Sequence, residues 1–177
     1  DGVARLVLGR SGAGKSTLAV WLDRNGYRVL GDDLCVLKVN RHGDIRVLPA
    51  YPQAKLAPSP LVSVVPVGMQ VGRRNKSFVA LRDNSSHGSV PLAAVYLLEP
   101  GNALGIQPLN PLQAVQGLAL HTQRKTLFRA QVGEAKHWQL CGEVARQVPV
   151  FSFSRTTDIG DFDRNVNCLR EHFSHGL

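Results

Sequence analysis

The stretch GRSGAGKSTL, residues 9–18, places three glycines, one lysine and three hydroxyl side chains within ten positions. Gly9, Gly14, Lys15 and Ser16 satisfy the phosphate-loop pattern G-x-x-x-x-G-K-[ST]. Each residue type has a physical reason. Glycines let the backbone curl until successive amide N–H groups converge on an anion. A helix starting near Lys15 adds the positive end of its dipole. Lys15 then reaches the β- and γ-phosphates as a point charge, and the Ser16 hydroxyl is placed to hold magnesium. Ser11, Gly12, Ala13 and Thr17 complete the expected wrapping of a nucleoside triphosphate, so ATP with Mg2+ is the expected ligand.

The flanks agree with the motif. Val3 to Leu8 is an aliphatic run of strand length. Lys15 to Asn25 carries Leu18, Trp21 and Leu22 on one helical face, with Gly26 just beyond. A phosphate loop does not by itself name a reaction, and the site needs a carboxylate at the end of a neighbouring strand. YRVLGDD (27–33) offers one: Arg28 to Leu30 reads as a short strand, and Asp32 and Asp33 follow it. One of the pair can sit beside magnesium while the other accepts a proton from an attacking hydroxyl. Extra cations suit a charge-spreading phosphoryl transition state, and Lys55, Arg129 and Arg155 are the candidates.

The rest of the chain reads as one α/β domain over 1–177, with a mixed sheet flanked by helices. Leu34–Val39 and Ile45–Leu48 around NRHGD suggest a hairpin. LPAYPQAKLAPSPLVSVVP (48–66) holds five prolines and reads as a surface loop. SFVAL (77–81) reads as a strand and RDNSSHGS (82–89) as an exposed loop. PLAAVYLLE (91–99) is nearly unbroken apolar sequence, as in a strand covered on both faces. NPLQAVQGLAL (110–120) opens with Asn110 as N-cap, Pro111 at the first helical position and Gln113 completing a capping box. Glu134–Gln147 reads as a helix turning Trp138, Cys141, Val144 and Ala145 inward. VPVFSFS (148–154) is a strand, and Asp161 is expected to cap a helix bearing Phe162, Val166, Leu169 and Phe173.

Net charge is +8, which suits a polyphosphate ligand or an acidic partner. Without an aromatic-interleaved basic stripe or a zinc pattern, nucleic acid is not the expected partner. No apolar run reaches the ~18 residues of a membrane span. Three isolated cysteines, Cys35, Cys141 and Cys168, read as reduced thiols of a cytoplasmic protein. The six histidines have no ligand spacing. The only methionine is Met69, so a further N-terminal segment is expected before Asp1.

LGRSGAGKSTLAVWLDRNGYRVLGDDLCVL (8–37) resembles the core of the HPr kinase/phosphorylase-related proteins, where a paired aspartate follows the phosphate loop within some twenty residues. YPQAKLAP, VPLAAVYLLEP and ARQVPVFSFSR extend the resemblance over nearly the whole chain. It implies a phosphoenolpyruvate-carboxykinase-like α/β core and ATP-dependent phosphorylation of a serine hydroxyl. It maps Gly12, Gly14, Lys15 and Ser16 onto phosphate and magnesium contacts, Asp32 onto the proton acceptor and Asp33 onto the magnesium-side carboxylate. Two departures bear on the reverse reaction. Thr17 stands where the bifunctional enzymes have glutamate, and no histidine precedes His42. Both point to a dedicated kinase whose acceptor is a Ser or Thr of another protein or peptide, for instance a ribosomally made precursor. An ATPase or switch subunit and a small-metabolite kinase remain open as alternatives, as does assembly into a homo-oligomer. An arginine-bearing lid for the metabolite kinase could come from QVGRRNKS (70–77).

Overall fold

An apolar run without polar alternation is stable as a strand only if both faces are covered, and the run at 90–100 is covered on both. The computed structural model describes residues 2–57, 76–82, 88–123 and 125–175. In chain order the elements are β1 (Ala4–Gly9), α1 (Lys15–Arg24), β2 (Val36–Val39), β3 (Ile45–Leu48), β4 (Gln53–Leu56), β5 (Ser77–Ala80), β6 (Val90–Pro100) and β7 (Gly105–Pro108). They continue with α2 (Pro111–His121), α3 (Lys125–Val132), α4 (Glu134–Gln147), β8 (Val150–Arg155), a 3-10 turn (Ile159–Asp161) and α5 (Phe162–His175).

The long β6 organises a mixed six-stranded sheet. β1 and β8 pair with it in parallel, setting Leu8 beside Leu97 and Phe151 beside Tyr96. β7 runs antiparallel to β8, and the β2–β3 hairpin joins antiparallel through Val47 opposite Val90. β4 and β5 form a separate two-stranded sheet.

Side-chain alternation along β6 builds two cores. Val95 and Leu97 face a cluster completed by Ala114, Leu118 and Ala119 of α2 and Cys141 of α4. Ala94, Tyr96 and Leu98 face Leu18 and Leu22 of α1 and Phe162, Val166 and Leu169 of α5. Burying each such large side chain contributes about 1.5–3 kcal/mol relative to leaving it exposed. Tyr96 is fully buried, stacks on Phe151 at 5.4 Å between centroids and satisfies its hydroxyl on His172 Nδ1 at 3.0 Å. A third cluster packs Ala54, Leu56, Val79 and Leu81 around Val20, seating the β4–β5 hairpin on α1. Asp23 of α1 reinforces that seat. Its Oδ1 accepts the Arg82 N–H at 3.1 Å, and its backbone carbonyl accepts the Arg82 guanidinium.

Several elements form where the sequence places them. Asn110 Oδ1 accepts the Gln113 N–H at 2.9 Å and Gln113 returns the bond to the Asn110 N–H at 3.2 Å, so the capping box of α2 is formed. α4 spans Glu134–Gln147, the expected bounds. Other expectations are corrected. Residues 28–30 are irregular rather than a strand, and the Ala50 N–H donates to the Leu30 carbonyl at 2.7 Å. Gln53–Leu56 is a strand within the segment read as a loop, and the part of that segment from residue 58 lies outside the described residues. Trp138 is 39% exposed, and its neighbour His137 takes the inward position at 1%. Asp161 does not cap α5: its carboxylate accepts the Thr156 hydroxyl at 2.7 Å, and Asp158 caps the preceding turn through the Gly160 N–H. β7 and α3 were not anticipated. Residues 83–87 of the expected exposed loop and 70–75 of the expected lid also lie outside the described residues.

Candidate functional site

Three parallel strands deliver their C-terminal ends to one edge of the sheet. Gly9 ends β1 opposite Leu98, and Arg155 ends β8 opposite Pro100 of β6. In open α/β sheets this edge is where ligands bind. The glycine loop fills it, passing from β1 straight into α1.

Gly12 and Gly14 sit at φ 87° and 85°, the left-handed region open to glycine at little cost, and Gly14 is the N-cap of α1. A Cβ on Gly14 would also collide with the Arg155 guanidinium. Lys15 folds back over the loop, with Nζ donating to the Gly9 carbonyl at 2.7 Å and to the Arg10 carbonyl at 2.9 Å. Burial lowers the pKa of this ammonium, and Lys76 adds to the fall; Asp32 and Asp33 oppose it. These residues fit a bound polyphosphate. The ammonium rests on exchangeable carbonyl partners, and the N-terminus of α1 opens from the same loop.

Asp32 holds the inner position. Its Oδ2 accepts the Lys55 backbone N–H at 3.1 Å. Burial pushes its pKa up; the Lys55 N–H, Ser16 and Lys15 pull the other way, and Asp33 adds to the rise. Asp33 lies further out, with its side chain 59% exposed and Oδ2 3.2 Å from Lys55 Nζ. Lys55 belongs to β4 and also sits over the Phe78 ring of β5, 5.6 Å from its centroid. The β4–β5 hairpin therefore forms one wall of the site.

The other two cation candidates are differently placed. Arg155 turns under the loop, donating to the Ala13 carbonyl and, at 3.3 Å, to the Thr156 carbonyl. It braces the loop backbone. Arg129 is engaged in the α3–α4 contact, 3.1 Å from Glu134, 3.0 Å from His137 Nδ1 and 5.7 Å from the Trp138 ring centroid. Ser11 belongs to the loop and Thr17 to the first turn of α1.

Sequence reading missed two residues at this edge. Glu99, near the end of β6, and His121, ending α2, share an electrostatic neighbourhood with Lys15 and Arg10. A charge closing the apolar run YLLEP was the available signal for Glu99. His121 left none, since its approach depends on the path of α2.

No family model matches the chain, and no curated protein matches it. Among solved structures it is similar to the HPr(Ser) kinase/phosphatase from Coxiella burnetii, with 10% sequence identity, coverage of 98% of this chain and 90% of that chain, and a TM-score of 0.44. Among the described residues no helix is long and apolar enough to cross a membrane.

Proposed function

We propose that this protein is an ATP-dependent kinase that transfers the γ-phosphoryl group to a Ser or Thr hydroxyl of a protein or peptide. The observation that carries the reading is the placing of Asp32. The Lys55 N–H holds this half-buried carboxylate at 3.1 Å, where its charge acts on Lys15 of the glycine motif.

The chain's own groups divide the work. Loop N–H groups and Lys15 bind and orient the triphosphate. Ser16 would hold magnesium, which on binding offsets charge on the phosphates. Asp32 accepts the proton of the acceptor hydroxyl as its oxygen bonds to the γ-phosphorus and the bond to the β-phosphate oxygen breaks, releasing ADP. Burial makes this carboxylate more basic than an exposed one, which suits a proton acceptor. Asp33 would have to leave Lys55 to reach a metal. The wall carrying Lys55 thus holds the outer Asp33 through its ammonium and the inner Asp32 through its backbone N–H.

The test is transfer from γ-labelled ATP to a panel of Ser- and Thr-bearing peptides and proteins, run beside free serine and a no-acceptor control. Label should appear on a polypeptide acceptor. Label on free serine alone would make it a metabolite kinase. Rapid hydrolysis without any acceptor would make it an ATPase or switch.

A further inference from the structure

α2 is aimed at the glycine loop. β7 descends beside β8 until Leu109 donates its N–H to the Val150 carbonyl at 2.9 Å, at the beginning of β8. The capping box at Asn110 then starts α2 at the opposite edge of the sheet from the loop. The helix returns along β6, touching it at Gly117, where even a Cβ would strike the Leu97 side chain. One further turn, about 6 Å at 1.5 Å per residue, ends at His121. The same distance along β6 leads from Leu97 to Glu99, about 3.3 Å per residue. The C-terminal end of α2, where His121 is half-buried, therefore reaches the edge of the sheet that carries the loop.

The charged groups acting on it are Lys15 and Arg10 from the loop and Glu99 from β6. On the α4 side, the next residue, Thr122, bonds His137 at 2.9 Å, and His137 is in turn held by Arg129, which is paired with Glu134. We propose that His121 is a nucleotide-responsive residue of the loop: its imidazole takes up a proton from solvent as a polyphosphate fills the site, and the imidazolium then shares the anion's charge with Lys15 and Arg10. No bond of the nucleotide is broken in this step. Before an anion binds, burial, Lys15 and Arg10 all favour the neutral ring, and Glu99 opposes them. A bound polyphosphate reverses the sign of the field, and the carbonyl end of α2 favours the cation as well.

The proposal rests on the nucleotide-site reading, so the experiment separates the two. The ring of His121 is followed by NMR across pH 5 to 9 in the wild-type protein, alone and saturated with magnesium and a non-hydrolysable ATP analogue. Calorimetry gives the affinity of the same ligand for wild type, Lys15→Ala and His121→Gln. His121 should titrate below its ordinary value of 6.5 in the free protein and higher in the complex. Proton uptake then strengthens binding as pH falls through the bound-state value and levels off below the free-state value, with up to about a tenfold gain in affinity per unit of separation. His121→Gln should lose that part of the slope, while the nucleotide's own ionisation stays common to both proteins. An unchanged His121 titration in a saturated complex overturns the proposal and leaves the nucleotide site standing. Failure of the wild-type protein to bind the analogue removes both, and the NMR arm decides even if His121→Gln does not fold.

Discussion

Lys55 donates its backbone N–H to Asp32 at 3.1 Å while its ammonium lies 3.2 Å from Asp33, so one residue of the β4–β5 hairpin holds two adjacent carboxylates in different places. Side chains of neighbouring residues diverge anyway, but here the divergence is fixed by bonds. The inner carboxylate takes the Lys55 N–H; the outer one faces solvent and the Lys55 ammonium.

That separation predicts unequal losses. Asp32→Asn should reduce transfer by about 10²- to 10⁴-fold, the usual contribution of a positioned proton acceptor, with nucleotide affinity little changed. Asp33→Asn should cost less in rate, and its effect should shift with magnesium concentration if Asp33 turns inward. Initial rates and nucleotide titrations at several magnesium levels check both. A large change in magnesium dependence for Asp32→Asn would move that residue to the metal.

Asp32 also makes a prediction about stability. Its folded-state pKa is raised by burial, so at neutral pH the fold bears the cost of an ionised, half-dried carboxylate. That cost is relieved as pH falls through the folded value and is gone below the ordinary 3.8. Asn keeps an acceptor for the Lys55 N–H without the charge. Asp32→Asn should therefore melt at or above the wild-type temperature at pH 7, with the difference closing in acid. A clearly lower melting temperature at pH 7 would show that the ionised form is net stabilising.

Lys15→Ala should lower transfer by at least about 10²-fold, the scale for deleting one charge-stabilising donor. α1 should survive, because Leu18, Val20 and Leu22 anchor it and, among the described residues, Lys15 hydrogen-bonds to the Gly9 and Arg10 carbonyls. Circular dichroism with single-turnover kinetics tests this. A normal rate would take the loop out of the mechanism.

Arg155 offers a sharper choice. A cation acting on the transition state lowers kcat when removed and spares nucleotide affinity; a brace under the loop does the opposite. Because Arg155 donates to the Ala13 carbonyl, Arg155→Ala should raise the Kd for nucleotide, with a smaller effect on kcat once nucleotide is saturating. The reverse pattern would return Arg155 to the reacting phosphate.

What could be read from the sequence was local. The capping box of α2 needs only Asn110, Pro111 and Gln113, and the glycine motif carries its own strand and helix. β4 was hidden because its partner β5 lies more than twenty residues on and prolines surround it. Residues 28–30 misled for the opposite reason: Val29 and Leu30 pack against the cores without forming a regular strand, so their apolar character reports burial rather than a ladder. His137 and Trp138 differ by one helical step, and periodicity favoured the larger apolar ring. The buried histidine is explained by Thr122 and Arg129, which come from other elements. Glu99 joins the site only because β6 lies beside β1, a crossing of distant segments.

The β4–β5 hairpin pairs with no strand of the main sheet and leans on α1. Evolution or an engineer could thus replace it without rebuilding the sheet, so long as the graft presents an amide to Asp32 and apolar side chains to Val20. Acceptor choice could drift on such a detachable wall while the nucleotide half stays fixed. Chimeras exchanging residues 53–80 between related chains would then be expected to inherit the donor's acceptor and the recipient's nucleotide affinity.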